Sequence, residues 1–479
     1  SGITVMPELN FGVSPTPARS NRAAAGGCVN FIREVLAETL TLYRRPGMTS
    51  VANIGTGGHR GAIEVSGEAY VVVANEVYHV DADYTGTFLG NLQTLSGNVS
   101  MSWDGEYLVI VDGAYLYTYN STGASFVRHT DTDIFTSPTH VAFSDGYHFV
   151  VNGANGQIAT HQQAYDPAGN WDALDFATAE YDPDKLKTII ADKGNLFLIG
   201  EDTTEPWEYD PVSPALPLRS IRAGFMEYGI IAEWSAIKFD NSIAWLARDN
   251  NGQGIMVRAN GWTPQIISTP EMHSEWASYS TMSDAFSQVW LLEGHSLLII
   301  TFPTADKTWV YDSSQPVGLQ WSEWQRGHDT PYLRGRVRNQ WSMNLNGKIV
   351  CGDYESNDIY EVDQSVHTDD GTQIHWSARS PEIKTEDEEW TAHRQLRVFM
   401  EGGVGLTDED DQGYAPVLYM RYSDNHGNTW TEGVEREFGR KGNYDTRVQW
   451  HQLGTSRHRI YELYGAEPVK TVIVGGFLA

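Results

Sequence analysis

Cysteine is nearly absent from this 479-residue chain, which carries only Cys28 and Cys351. Two distant thiols build neither a disulfide framework nor a cysteine-based zinc site, and free reduced cysteines of a protein made in the cytoplasm are expected. Basic residues are also scarce. Lys and Arg number 33 against 62 Asp and Glu, a formal charge of −29. Such a chain lacks the broad basic footprint that nucleic-acid binding requires, and solubility is the plain consequence of the charge. Long apolar runs are missing too: YVVVA and TVIVGG fall far short of a bilayer span. The stretch SGITVMPELNFGVSPTP has no basic region followed by an apolar core, so no signal peptide is expected there. Without secretion, the glycosylation sequons at Asn98 and Asn120 carry no weight.

Aromatics and turn formers are plentiful, with 16 Trp, 24 Tyr, 16 Phe, 46 Gly and 19 Pro. Aromatics favour strands and Gly and Pro favour turns, so a largely β protein is expected. A repeat supports this. Units such as VSGEAYVVVANEVYHVD from Val65, WDGEYLVIVDGAYLYTYN from Trp103 and LNGKIVCGDYESNDIYEVD from Leu345 share one plan. Each has a Gly or Asn turn, an apolar strand, a polar connection and a second strand. The aligned turn positions are Gly67, Gly105, Gly146, Gly194, Asn241, Gly294 and Gly347. Their spacing of roughly 40–50 residues is that of four-stranded propeller blades, and a ring of blades buries faces that single hairpins cannot. The predicted fold is therefore an all-β protein, a β-propeller of seven blades with six as the alternative. The first blade is expected to borrow a strand from elsewhere. A string of sandwich hairpins without ring closure is the competing arrangement.

Two flanks leave the period. The predicted organisation is an N-terminal arm at 1–49, a propeller at 50–370 and a small antiparallel β-domain at 371–479. Within the arm, NFIREVLAETLTLYRR reads as a short helix or extended chain and PELNFGVSPTP as irregular chain held by neighbours. The acidic runs TEDEEW and TDEDDQG read as solvated loops.

Chemistry-bearing motifs are weak. DADYTG at Asp81 imitates a calcium loop, but Thr85 replaces a ligand and Leu92 occupies position twelve; DEDDQG at Asp408 fails in the same way at Tyr419. HExxH, GxSxG and GxxxxGK[ST] are absent. With so many acids, a pair of carboxylates at glycosidase spacing means little. Trp321, Trp324 and Trp341 could stack sugars, although blade core is the simpler role. Arg436, Arg440, Arg447, Arg457 and Arg459 gather in the C-terminal part with nothing to tie them to a propeller centre. No catalytic, cofactor-binding or metal-ligating residue is predicted, and no cofactor.

The segment SDNHGNTW at 423–430 resembles the Asp-box of sialidases, with Asn425 where Asp is usual. Those enzymes carry several boxes and this chain shows one, so the segment is read as a hairpin turn with Trp430 packed beneath it. A wider resemblance joins both ends. The N-terminal run GGCVNFIREVLAETLTLYRRPG, through Cys28, Asn30, Glu34, Tyr43, Arg44, Arg45, Pro46 and Gly47, resembles the opening of tail-hub (packaged-DNA stabilization, head-completion) proteins of short-tailed bacteriophages. Ser423 to Trp430, then Arg447, Trp450, Leu453, Gly454, Ser456, Arg457 and Arg459, resemble that family's closing domain. His426, inserted before Gly427, and Phe31, where Tyr is common, are departures.

The resemblance implies a non-enzymatic structural virion protein of the tail, assembled in the host cytoplasm. It would form a homohexameric ring below the portal and adaptor ring, the tail hub or nozzle. That ring would continue the channel, help retain packaged DNA until ejection, and carry tail fibres or spikes and the needle or tip. The acidic balance suits a conduit that passes genome DNA without tight binding, and no membrane insertion is expected. The alternative is a sialidase-like or carbohydrate-binding propeller.

Overall fold

The computed structural model describes residues 8–14, 26–36, 39–169, 171–178, 184–212, 216–249, 251–330, 335–385 and 387–479. Its middle consists of consecutive antiparallel sheets whose strands pair in chain order. Four-stranded sheets run over 59–91, 100–129, 138–177, 186–220 and 237–266. A further four strands span 286–324, and the three strands of 339–363 take their fourth from Gly47–Asn53. The first strand of each sheet touches the first strand of the next, and Asn339–Leu345 touches His59–Val65. The ring therefore closes, with these strands innermost. This is a β-propeller.

The turn chemistry explains why the repeat folds this way. All seven aligned turn residues adopt positive φ, from 58° at Asn241 to 109° at Gly105. In six of the seven the residue before is also left-handed: Ser66, Asp145, Lys193, Asp240, Glu293 and Asn346. Two consecutive left-handed residues are the tight hairpin that matches strand twist. Each turn is followed by a largely buried strand, for example Glu68–Val73 and His295–Phe302. Among the described residues one α-helix occurs, Pro270–Trp276, capped by Thr269, and it plugs Met272 and Trp276 into the core beside Phe302 and Trp321.

The ends of the chain depart from the sequence expectation. NFIREVLAETLTLYRR takes the extended alternative rather than the helical one, and as paired chain: Phe31–Leu36 and Thr39–Arg44 form antiparallel strands. Thr39–Arg44 then pairs with Val472–Leu478, which continues to Gln395–Met400 and Val448–His451. Of PELNFGVSPTP, Pro7 and residues 15–17 lie outside the described residues, while Glu8–Leu9 adds to Val472–Leu478 on the side of Thr39–Arg44. A second sheet joins Trp376–Arg379, Ile460–Gly465, Val417–Ser423 and Val434–Glu437. The two sheets share one core, in which Phe11, Phe31 and Leu42 from the N-terminal side meet Trp450, Leu463 and Ile473. The borrowed strand also sits elsewhere than expected. It comes from the N-terminal segment, but it completes the last sheet of the ring rather than the first.

Candidate functional site

The residues that carry the resemblance at the N-terminus converge on the seam between the propeller and the C-terminal sandwich. Cys28–Val29 is the stitch. Val29 pairs in parallel with Glu323 of the propeller and antiparallel with Ser377 of the sandwich, so one sheet runs across both. Next to it, Asn30 is fully buried in a left-handed conformation with φ 62°. Its side-chain oxygen accepts from Gln325 N at 2.7 Å and Arg45 Nε at 3.0 Å, and its amide nitrogen donates to His375 O at 2.7 Å. A short amide side chain tolerates that backbone and uses both ends at once.

Arg45 is the centre of the seam. Its guanidinium meets Asp369 in a two-pronged pair of 3.0 and 2.6 Å, and both side chains are 1% exposed. It also donates to Gln325 O at 2.8 Å and Pro46 O at 2.9 Å, while Asp369 accepts from Gly327 N at 2.6 Å. Planar, bidentate and fully hydrogen-bonded, this is the arrangement in which a buried ion pair repays its desolvation. Gly47 follows because nothing larger fits: a Cβ there would lie 2.2 Å from Thr368 O.

The neighbouring arginines bind carbonyls. Arg33 donates to Gly12 O at 2.6 Å, Ser14 O at 3.0 Å and Trp321 O. Arg44 donates to Ile374 O at 2.5 Å, Val469 O at 3.2 Å and Glu467 O. Burial, helped by the Arg45 cation, pushes Arg44 down to about 9, which leaves it charged at neutral pH. Glu34 reaches the propeller: His295 Nε2 lies 3.0 Å from its carboxylate, and His295 Nδ1 lies 2.6 Å from Asp312. The bond to Asp312, opposed by burial and reinforced by Glu34, lifts His295 to about 9. A protonated imidazole thus bridges two acids across the seam.

After the strand Val417–Ser423 of the sandwich, the SDNHGNTW segment is a compact turn. Ser423 Oγ accepts from Gly427 N at 2.9 Å and donates to Asn425 Oδ1 at 2.8 Å. Asn425 Oδ1 accepts from Thr429 N at 2.9 Å and its Nδ2 donates to Thr429 Oγ1 at 2.8 Å. The left-handed residues are His426 and Gly427, with φ of 60° and 83°. Asn425 therefore contributes its side chain rather than a left-handed backbone. Trp430 is half-buried and lies over two guanidiniums, Arg379 at 5.0 Å and Arg421 at 5.1 Å, which both grip the buried carboxylate of Glu462.

The sugar-stacking candidates Trp321, Trp324 and Trp341 are 2%, 1% and 7% exposed, so their rings are core. Four of the five C-terminal arginines answer to local partners. Arg459 is buried, paired with Asp424 at 2.6 Å and stacked on Tyr422, Arg440 pairs with Glu437, and Arg436 donates to Gln449 O. Arg447 is exposed, and Arg457 lies over Trp390. Asp81 accepts from the backbone of Asp83 and Thr85, an ordinary Asx turn. Sequence reasoning missed Asp369, His295, Asp312 and Glu462, none of which sits in a motif.

Residues 28–367 match the family described as Bacteriophage P22 Gp10, β-propeller. The chain belongs to that family. It is thus a phage structural protein and a component of the virion. No curated protein matches it by sequence. Among solved structures, the N-terminal domain of Nup159 is 8% identical, with 70% of this chain and 98% of that one covered and a TM-score of 0.42. The WD40 β-propeller domain of Doa1 is 12% identical over 66% and 96% of the two chains, with a TM-score of 0.40. An extracellular domain from B. thetaiotaomicron is 9% identical over 84% and 49%, at 0.43. Scores this low add nothing to the assignment, which stands on the sheets and the family.

Proposed function

We propose that this protein is the tail hub, or nozzle, of a short-tailed phage: a homohexameric ring below the portal and its adaptor ring. In that place it continues the DNA channel, helps to retain the packaged genome, and carries fibres or spikes and the tip. The observation that carries the reading is the seam. Both ends of the chain, where the family motifs lie, build one sandwich and lock it to the propeller through Asn30, Arg45 and Asp369. A part that must hold against packaged DNA gains from such a rigid protomer. The role is structural rather than enzymatic, and the glycan-active alternative loses its best feature because the three tryptophans are buried.

A net charge of −29 fits a wall along which DNA slides. Repulsion acts over roughly 10 Å at 0.1 M salt, which keeps a duplex centred rather than gripped. The test is complementation. DNA-filled heads lacking this protein should leak genome, and purified protein added back should bind the adaptor ring and stop the leak. Heads that retain DNA equally without it would refute the role.

A further inference from the structure

We infer that Glu382, His426 and His458 form a binding site for a divalent transition metal, zinc by its chemistry, beside the 423–430 turn of the C-terminal sandwich. The three come from separate segments, so no motif announces them. Backbone bonds in both directions between Ile383 and Arg459, of 2.8 and 3.1 Å, hold Glu382 beside His458. The Ser423–Asn425–Thr429 network fixes the turn that carries His426, the residue inserted relative to the usual pattern and held at φ 60°. One ligand atom from each lies within 4.8 Å of the other two. Zinc holds nitrogen and oxygen ligands at about 2.0–2.2 Å, which sets them roughly 3.3 Å apart in a tetrahedron. Small side-chain shifts reach that geometry.

The chemistry of the donors agrees. Nδ1 of His426 faces Oε1 of Glu382, so a metal replaces the proton that they share. Nδ1 of His458 is buried without a hydrogen-bond partner, 3.9 Å from the same carboxylate oxygen. Its Nε2 lies 3.6 Å from Glu388, so a small side-chain rotation makes the hydrogen bond by which a carboxylate orients a ligating histidine. Lys384 Nζ, 3.9 Å from Glu382 Oε2, stays on the other side of the carboxylate. Two histidines and one carboxylate leave a fourth position for water. A metal there would tie Glu382, the turn and the strand start at Ile460 together.

The experiment uses the full chain, purified with chelator and then titrated with Co2+ and Zn2+. The expected result is one Co2+ per chain with the visible absorption of a tetrahedral site, displaced by Zn2+, and a higher melting temperature with metal. Glu388→Gln should weaken binding about 10–100-fold. His426→Asn, which keeps a residue tolerant of the left-handed backbone, and His458→Gln should abolish stoichiometric uptake. Equal melting of each variant and the wild type in chelator will establish folding; where one variant fails that control, the other and the wild-type titration decide. Wild-type protein that takes up no stoichiometric metal, or folded variants that bind it undiminished, would overturn the inference.

Discussion

Arg45 and Asp369 are both 1% exposed, and removing either leaves the other as an uncompensated buried charge. Arg45→Ala or Asp369→Ala should therefore cost about 3–5 kcal/mol in denaturant unfolding, whereas exposed Leu95→Ala should be near neutral. Histidines set the pH limits from opposite directions. His295 is raised to about 9, so its contribution is complete below the unfolded value near 6.5 and fades as pH rises through 9. Burial lowers His59, His161, His367 and His393 to about 4 and His140 to about 3. These stay neutral in the folded chain, so stability is full above 6.5 and falls as pH drops towards 4. Melting temperature should peak near neutrality, and His295→Gln should flatten the alkaline side alone. An unchanged alkaline limb in that variant would contradict the bridge.

At the level of elements, the two tryptophans of the C-terminal sandwich separate. Trp450 is 1% exposed and donates to Val434 O at 2.9 Å, so Trp450→Ala should cost about 3–5 kcal/mol. Trp430 is half-buried over Arg379 and Arg421, and its loss should cost nearer 1–2 kcal/mol through two cation–π contacts. Equal costs, measured by chemical denaturation, would mean that the turn is more deeply packed than it is here. The closing strand has its own test. Met48 is 2% exposed in the core beneath the last sheets, and Met48→Ala should cost about 2–5 kcal/mol although it lies outside every repeat.

The elements also show what the sequence could disclose. The sheet turns were legible because the aligned turn position is left-handed, which favours Gly or Asn, and that residue recurs in every unit. The strand Phe31–Leu36 was not. Its pattern of apolar and charged residues suits a helix as well, and its fate is decided by Val472–Leu478, joined through Thr39–Arg44 more than 400 residues away. Of the seam, Asn30, Arg45 and Gly47 stood in a family motif. Asp369, the partner of Arg45, and His295 with Asp312, which answer Glu34, stand where nothing local marks a buried acid or a charged histidine.

For the whole molecule, one closed ring of sheets and one two-sheet sandwich are joined through Cys28–Val29, which pairs with both, so neither part is expected to unfold without strain on the other. Calorimetry should show Asp369→Ala lowering both parts together. The charge makes a second statement at this scale: duplex binding by the purified protein should be weak throughout a salt series, and tight binding that falls steeply with salt would contradict passage without grip. The central claim is that six copies form the ring beneath the adaptor. A cryo-electron microscopy reconstruction of the virion tail tests it most directly. The account predicts a six-fold ring directly below the adaptor into which this propeller and sandwich fit; the same fold found in a head spike or a fibre tip, away from the channel, would contradict it.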